Sequence, residues 1–325
     1  MSYSHELAKT KLDRTKGVLT REIYWEEIQM VIRLTDGLRS IISDRLKNLS
    51  IAQEGLVLEY ALHMGQTISM YLDPEDIRTA PFVILAEGDY EPFECQLLLE
   101  VVRKSKIFCD VGSNIGFYTL AALATNNEIQ VISFEPNTEI AKKQIKNLAI
   151  NKHGKAENSN TRFTIHEVAL GAQADGVQSF YIPAFTGSGG GSLKNLHPEE
   201  GLPKVIQIPI TTLDVVLDGC NVDLIKIDVE GFEQSVILGA SVTIKSSKPT
   251  IFVELLRKWM KPFGKHPQDV LDELFSLGYI CFSIGEKSLQ LCSEIQEDTL
   301  ETNFIFCHPD RSDDMDMFLQ YLRKD

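Results

Sequence analysis

From residue 106 onward the chain predicts an α/β fold, a mostly parallel sheet with helices on both faces. Strand-like and helix-like patterns alternate there, which is the signature of βαβ units. The apolar run Ile107-Phe-Cys leads into Asp110-Val-Gly112-Ser-Asn-Ile-Gly116 and then an apolar helix start, a strand–turn–helix segment. A second apolar run, residues 129–134, ends in Glu135, 19 residues after Gly116. An acid at that point of a parallel sheet is placed to accept hydrogen bonds from a ribose diol.

Taken in order, residues 20–49 carry Ile28, Val31, Ile32, Leu38, Ile41, Ile42, Leu46 and Leu49 at three-and-four spacing. That spacing predicts one long amphipathic helix, interrupted near Gly37. It either packs on its own domain or pairs with a second copy as a homodimer contact. Residues 56–85 read as short strands around Asp73-Pro74, and Gly88-Asp89-Tyr90-Glu91-Pro92-Phe93-Glu94 leads into a helix over 95–102. Strands are expected near 106–110, 129–134, 162–168, 222–228 and 249–254, and helices near 115–124, 138–150, 232–239 and 267–277. Two late apolar runs, 279–284 and 302–307, are placed as an antiparallel edge pair. The expected organisation is a helical extension over 1–55, a catalytic domain over 56–310 and a tail over 311–325.

Residues 176–210 break the alternation. Strand-like runs at 177–182 and 205–210 flank Thr186-Gly-Ser-Gly-Gly-Gly-Ser192. An insertion here falls near the carboxyl ends of the strands, where such sheets bind ligands. It is either a lid on the acceptor side or a surface hairpin with a glycine-rich tip. It is not a phosphate loop, because Gly-Lys-Ser/Thr is missing.

Bulk properties bound the chemistry. The 325 residues, 43% hydrophobic and 24% charged, are ordinary for a globular chain, and no apolar run approaches the ~20 residues of a membrane span. The polar amino terminus and six cysteines without a Cys-x-x-Cys pair suggest reduced thiols in a cytoplasmic protein. Net charge is −14; residues 1–50 hold nine Lys/Arg against seven Asp/Glu, leaving 23 against 39 beyond them. Such an acidic body repels nucleic-acid phosphates, and the Asn/Asp-Pro-Pro-Tyr/Phe run of amino-methylating nucleic-acid enzymes is absent. Nucleic acid is therefore not an expected partner.

The turn also discriminates between cofactors. A dinucleotide fingerprint places a glycine where Asn114 stands, so that backbone reaches a pyrophosphate. S-adenosylmethionine has no phosphate but carries a carboxylate, suited to the turn amides, and an ammonium, suited to Asp110. A second motif is Asp223-Leu-Ile-Lys-Ile-Asp228-Val-Glu230-Gly-Phe-Glu233. Alternation puts Asp228 at a strand's carboxyl end and Glu230 on the next turn. Two carboxylates there can orient an acceptor hydroxyl, take its proton or hold a cation; alternatively Glu230 and Glu233 favour the following helix start.

With these motifs on the page, the chain resembles the FkbM-type methyltransferase family. The resemblance spans about residues 85–285 and rests on the ordered set Gly88–Pro92, Asp110–Gly116, Phe134-Glu-Pro-Asn137, Thr212-Leu-Asp214, Asp223–Glu233, Gly239-Ala240 and Pro249 through Glu254-Leu255. It implies a class I methyltransferase fold, Rossmann-like and mostly parallel with an antiparallel edge strand, using S-adenosyl-L-methionine and usually acting on oxygen. On that reading Gly112, Ser113, Asn114 and Gly116 hold the methionine part, with Asp110 beside them. Glu135 lies at the ribose, Asn137 is a further cofactor-binding candidate, and Ala169, within Glu167-Val-Ala-Leu170, lies near adenine. Family members methylate hydroxyls of sugars and of secondary-metabolite scaffolds, with Asp228 and Glu230 here as candidate catalytic residues. Alignment of the reactants supplies about 7–11 kcal/mol and a general base about 3–5, so positioning dominates.

The alternatives are a catalytically inactive binding or scaffold protein on the same fold, and an NAD-linked oxidoreductase. Of the other candidates, His197 reads as a solvated loop residue before a base, and His166 as a hydrogen-bonded structural residue. Glu254 is either an acceptor or metal contact or a helix-start residue. Trp25 and Trp259 have no diagnostic spacing, although Trp259 is able to line an acceptor pocket. Carboxylates at three strand ends permit a Mg2+ site that the sequence does not demand.

Overall fold

The structure, a computed structural model, describes Gln29 and residues 44–73, 76–153, 162–174, 176–185, 187–296 and 299–323. The amphipathic helix and homodimer contact expected over residues 20–43, and Trp25 with them, lie outside these apart from Gln29. Its last part is corrected. Leu46 and Leu49 belong to β1 (Leu46–Ala52), which pairs antiparallel with β2 (Gly55–Ala61), itself paired with β3 (Thr67–Leu72). The other edge of β3 is met by side chains: Asn151 bonds the N–H and C=O of Ser69 at 2.8 and 2.7 Å, and Asn147 accepts from the Tyr71 N–H at 2.9 Å. Edge groups are thereby satisfied without another strand.

The strands expected up to residue 85 stop earlier, because α1 (Ala80–Glu87) follows. Pro81 suits a helix's first turn, and Gly88, at φ 88°, closes its end by donating to the Ile84 carbonyl. The next helix, α2 (Pro92–Val102), starts three residues before the expected Cys95, again on a proline. Glu91 precedes it in a left-handed conformation, φ 42°.

The central units follow the predicted alternation. They are β4 (Ile107–Val111), α3 (Phe117–Thr125), β5 (Gln130–Phe134), α4 (Thr138–Ile150), β6 (Phe163–His166), β7 (Ala169–Leu170), β8 (Gly176–Ile182) and β9 (Lys204–Thr211). Then come α5 (Leu213–Leu217), β10 (Leu224–Ile227), α6 (Glu233–Leu238), α7 (Ser241–Ser247), β11 (Thr250–Glu254), α8 (Arg257–Met260) and α9 (Pro267–Ser276). The chain closes with β12 (Ile280–Ile284), β13 (Leu289–Leu291), β14 (Asn303–Cys307) and α10 (Ser312–Gln320).

The main sheet has the order β13-β12-β14-β11-β10-β4-β5-β6. Strands β6, β5, β4, β10 and β11 are parallel. Strand β14 runs antiparallel between β11 and β12, and β13 pairs antiparallel with β12 at the edge. The expected antiparallel pair is thus real, but its reversed strand lies inside the sheet. A mostly parallel sheet with antiparallel strands toward one edge is the arrangement that the resemblance implies. The insertion forms a second sheet, β7-β9-β8. Residues 312–320 are helical and pack Phe318 fully buried into the core.

Strand alternation sorts the core. Phe108 and Leu224 face α2 and α3, whereas Cys109, Val111, Ile225 and Ile227 face α6, α7 and α9. Asp110 and Lys226 lie two residues beyond Phe108 and Leu224 and are cross-strand partners, so both project toward α3. Strand order reverses direction between β4 and β10, which opens a crevice above their carboxyl ends.

Candidate active site

A cleft of about 990 Å³, including its open mouth, fills that crevice. Asp110, Gly112, Ser113, Asn114, Glu135, Ala169, Asp228 and Glu230 all line it. Residues far apart in sequence, chosen for their chemistry, therefore converge.

The turn after β4 alternates conformation. Gly112, Asn114 and Gly116 have φ of 82°, 49° and 89°, in the left-handed region that favours glycine and tolerates asparagine. Gly112 is required by space as well: a Cβ there would sit 1.8 Å from the Asp228 carbonyl oxygen. Gly116 abuts Gln144, where a Cβ would lie 2.6 Å from the side chain. Ser113 donates to that Gln144 at 3.0 Å.

Glu135 is 7% exposed and accepts from the Asn114 N–H at 3.1 Å through one oxygen and from the Asn137 N–H at 2.8 Å through the other. It therefore ties the turn to the start of α4. Burial pushes its carboxyl up to about 7. Asn137 itself caps α4 by accepting from the Glu139 N–H at 3.1 Å and is not among the residues lining the cleft. Its own N–H positions Glu135. Asp110, 2% exposed, accepts from the Thr119 hydroxyl at 2.6 Å, and burial raises its carboxyl to about 6.

On the other side of the cleft, Asp228 Oδ2 accepts from Lys226 Nζ at 3.3 Å. Lys226 is 4% exposed and stands 4.6 Å over the Tyr118 ring. Burial alone would lower the lysine, but Asp228, Glu94, Glu91 and Asp110 outweigh it and hold the ammonium charged. Burial raises the carboxyl of Glu91, whose Oε2 accepts from the Tyr118 hydroxyl, and pushes that of Glu94 up to about 8. Glu230 has φ 54°, a strained conformation for a side-chain-bearing residue and one that clusters at functional sites. Burial, then the charge of Asp228, pushes it up to about 8, and its Oε2 has no hydrogen-bond partner among the described residues. Asp228 and Glu230 thus differ in surroundings: the first is held by an ammonium, the second is raised by burial. Glu233 accepts from the Gly231 N–H at 2.9 Å and shapes the turn.

The insertion closes over this cleft. Phe180, Ser188, Gly189, Gly191 and Leu193 line it. Ser188 donates through its N–H to Asp76 Oδ1 at 3.0 Å, and its hydroxyl lies 3.2 Å from Asn114 Oδ1. Ser192 donates to the Glu230 carbonyl at 2.8 Å. The hairpin bridges the turn after β4 and the turn after β10.

His197 is not solvated; it is 3% exposed, lies 3.0 Å from Arg78 Nη1 and packs edge-on against Trp259 at 4.7 Å. His166 stacks on Phe134 at 5.2 Å, which takes the place of the expected hydrogen bond. Glu254 ends β11 with its carboxyl raised by burial and then by Asp228. The strand-end carboxylates do not converge on one point. Among the described residues, His197, Glu199 and Glu200 are the group of three whose potential ligand atoms lie within 4.8 Å of one another.

Sequence reasoning passed over Lys226, Arg78, Tyr90 and Glu91. Lys226 carried a signal, a charge inside the apolar run Leu-Ile-Lys-Ile. Arg78 carried none. No helix among the described residues is long and apolar enough to cross a membrane.

No curated protein matches this chain. Solved structures similar to it include methyltransferase FkbM from Methylobacillus flagellatus, at 16% identity over 72% of this chain and 55% of that one, TM-score 0.38. Others are the O-methyltransferase TomG of Streptomyces achromogenes, involved in tomaymycin synthesis and solved with S-adenosylmethionine (10%, 73% and 90%, 0.38), and a SAM-dependent O-methyltransferase of Thermotoga maritima (11%, 82% and 88%, 0.35). The chain spans only 55% of the length of the first. The methyltransferase FkbM domain matches residues 110–281, more than half of the sequence, and the chain belongs to that family.

Proposed function

We propose that this protein transfers the methyl group of S-adenosylmethionine to a hydroxyl oxygen of a small-molecule or glycan acceptor, a sugar or a secondary metabolite. The observation that carries the reading is the meeting of the Gly112–Gly116 turn, Glu135 and Asp228 in one cleft at the reversal of strand order. The lining fits the cofactor. Glu135 keeps acceptor capacity for ribose hydroxyls, and Val168, Ala169, Leu170 and Phe180 offer an apolar wall to a purine. Asn114, where a dinucleotide site places glycine, disfavours NAD.

When bound, the cofactor supplies an activated methyl on its sulfonium. The chain's own residues do the rest. Lys226 occupies one oxygen of Asp228 and fixes its direction. The other oxygen, with no bond among the described residues, is the acceptor for the proton of an incoming hydroxyl. Glu230, protonated, donates to an acceptor oxygen and does not compete as a base. The lid excludes water from the aligned pair.

The test is calorimetric titration of the protein with S-adenosylhomocysteine and, separately, NAD, followed by labelled-methyl transfer to hydroxylated acceptors. Saturable binding of the first ligand, weakened by Glu135→Ala, is the expected result. Binding of NAD alone overturns the reading; cofactor binding with no transfer to any acceptor points to the scaffold alternative.

A further inference from the structure

The cleft is acidic except for two cations. Lys226 is taken by Asp228, but Arg78 has no carboxylate within 4 Å among the described residues. Its one hydrogen bond is from Nη1 to His197 Nε2, 3.0 Å away. A guanidinium only donates, so that ring nitrogen must present its lone pair, and the proton sits on Nδ1, which faces Glu199 Oε1 at 3.3 Å. Glu199, His197 and Arg78 form a chain that orients the guanidinium, with Trp259 holding the imidazole from the side.

The glycine-rich tip is built around this arginine. A Cβ on Gly189 would come within 2.7 Å of Arg78 Cβ, and one on Gly190 within 2.7 Å of Arg78 Nη1 and 3.2 Å of His197 Nε2. The lid therefore lies backbone-down on the Arg78–His197 pair, and this accounts for glycines that form no phosphate loop. A half-buried, oriented guanidinium with spare donors, lining the same cleft as Ser113 and Asn114, is complementary to an oxyanion.

We infer that Arg78, oriented by His197, is an anion-binding residue of the cleft and takes a carboxylate or phosphate group of a bound ligand. The inference rests on the cleft being the ligand site proposed above. That oxyanion comes either from the amino-acid carboxylate of the cofactor or from an acidic group on the acceptor.

The test uses the full chain, with S-adenosylhomocysteine, 5′-methylthioadenosine (same nucleoside and sulfur, no carboxylate) and inorganic phosphate as probes. If the cofactor is the source, Arg78→Gln weakens S-adenosylhomocysteine at least about tenfold and leaves methylthioadenosine unchanged. If the acceptor is the source, both nucleosides bind as before, and phosphate binding to the cofactor-loaded wild type is lost in the variant. Equal weakening of both nucleosides, or no change with any probe, overturns the inference. If the wild type binds neither nucleoside, the cofactor reading fails, and phosphate alone then decides on Arg78: loss in the variant supports the assignment, no loss overturns it. Arg78→Lys, which keeps charge but not the planar fork, gives the same comparison should the glutamine variant unfold.

Discussion

Lys226 on β10 and Asp228 just past its carboxyl end stand two residues apart, with Nζ 3.3 Å from Oδ2. The pair is not an exposed salt bridge, since the lysine is 6% and the aspartate 27% accessible by side chain. Lys226 is the one cation among Asp110, Glu91, Glu94 and Asp228, and it holds their charges together.

Removal of that cation is expected to be costly. Lys226→Met should lower unfolding free energy by about 3–5 kcal/mol in urea denaturation, because it leaves buried carboxylates uncompensated. Adding Glu91→Gln should restore part of the loss. Strict additivity of the two changes would show that the groups are not coupled.

Asp228→Asn keeps the shape and Lys226's neighbour but removes the proton acceptor. S-adenosylhomocysteine affinity should change little, while turnover falls by about 10²–10⁴-fold. Unaltered turnover would take Asp228 out of the mechanism.

Stability should fall as pH rises. Burial raises Glu135 and Glu233 to about 7 and Glu94 and Glu230 to about 8. An acid whose folded value exceeds its unfolded one, ~4.3, binds more protons when folded, so stability is fullest below ~4.3 and is lost as pH climbs through the folded value. The melting temperature should decline between about pH 5 and 8. In Glu94→Gln, whose parent Oε2 has no partner, the decline should be shallower; a wild-type curve that rises over that interval would contradict these shifts.

Gly112→Ala tests the turn. Both its φ of 82° and the 1.8 Å approach to the Asp228 carbonyl oppose a methyl group. The expected loss is about 2–4 kcal/mol, with weaker cofactor binding, read by thermal melts and calorimetry. A variant as stable as wild type would mean that the turn and β10 are less tightly packed than described.

Local chemistry made the sheet and half of the site legible. Apolar runs marked β4, β5, β10 and β11, and Asp110, Glu135 and Asp228 stand where those runs end, because a strand's carboxyl end and a ligand crevice coincide in this fold. The glycines at 112 and 116 announced a turn that only left-handed backbone completes. Tertiary structure decided the remainder. The order that puts β14 inside the sheet and the insertion's seat on Asp76 and Arg78 both depend on partners distant in the chain. So do the different surroundings of Asp228 and Glu230, two residues apart in sequence. Desolvation and the charge of Asp228 raise the Glu230 carboxyl, while Lys226 donates to Asp228, and residue spacing does not encode either field.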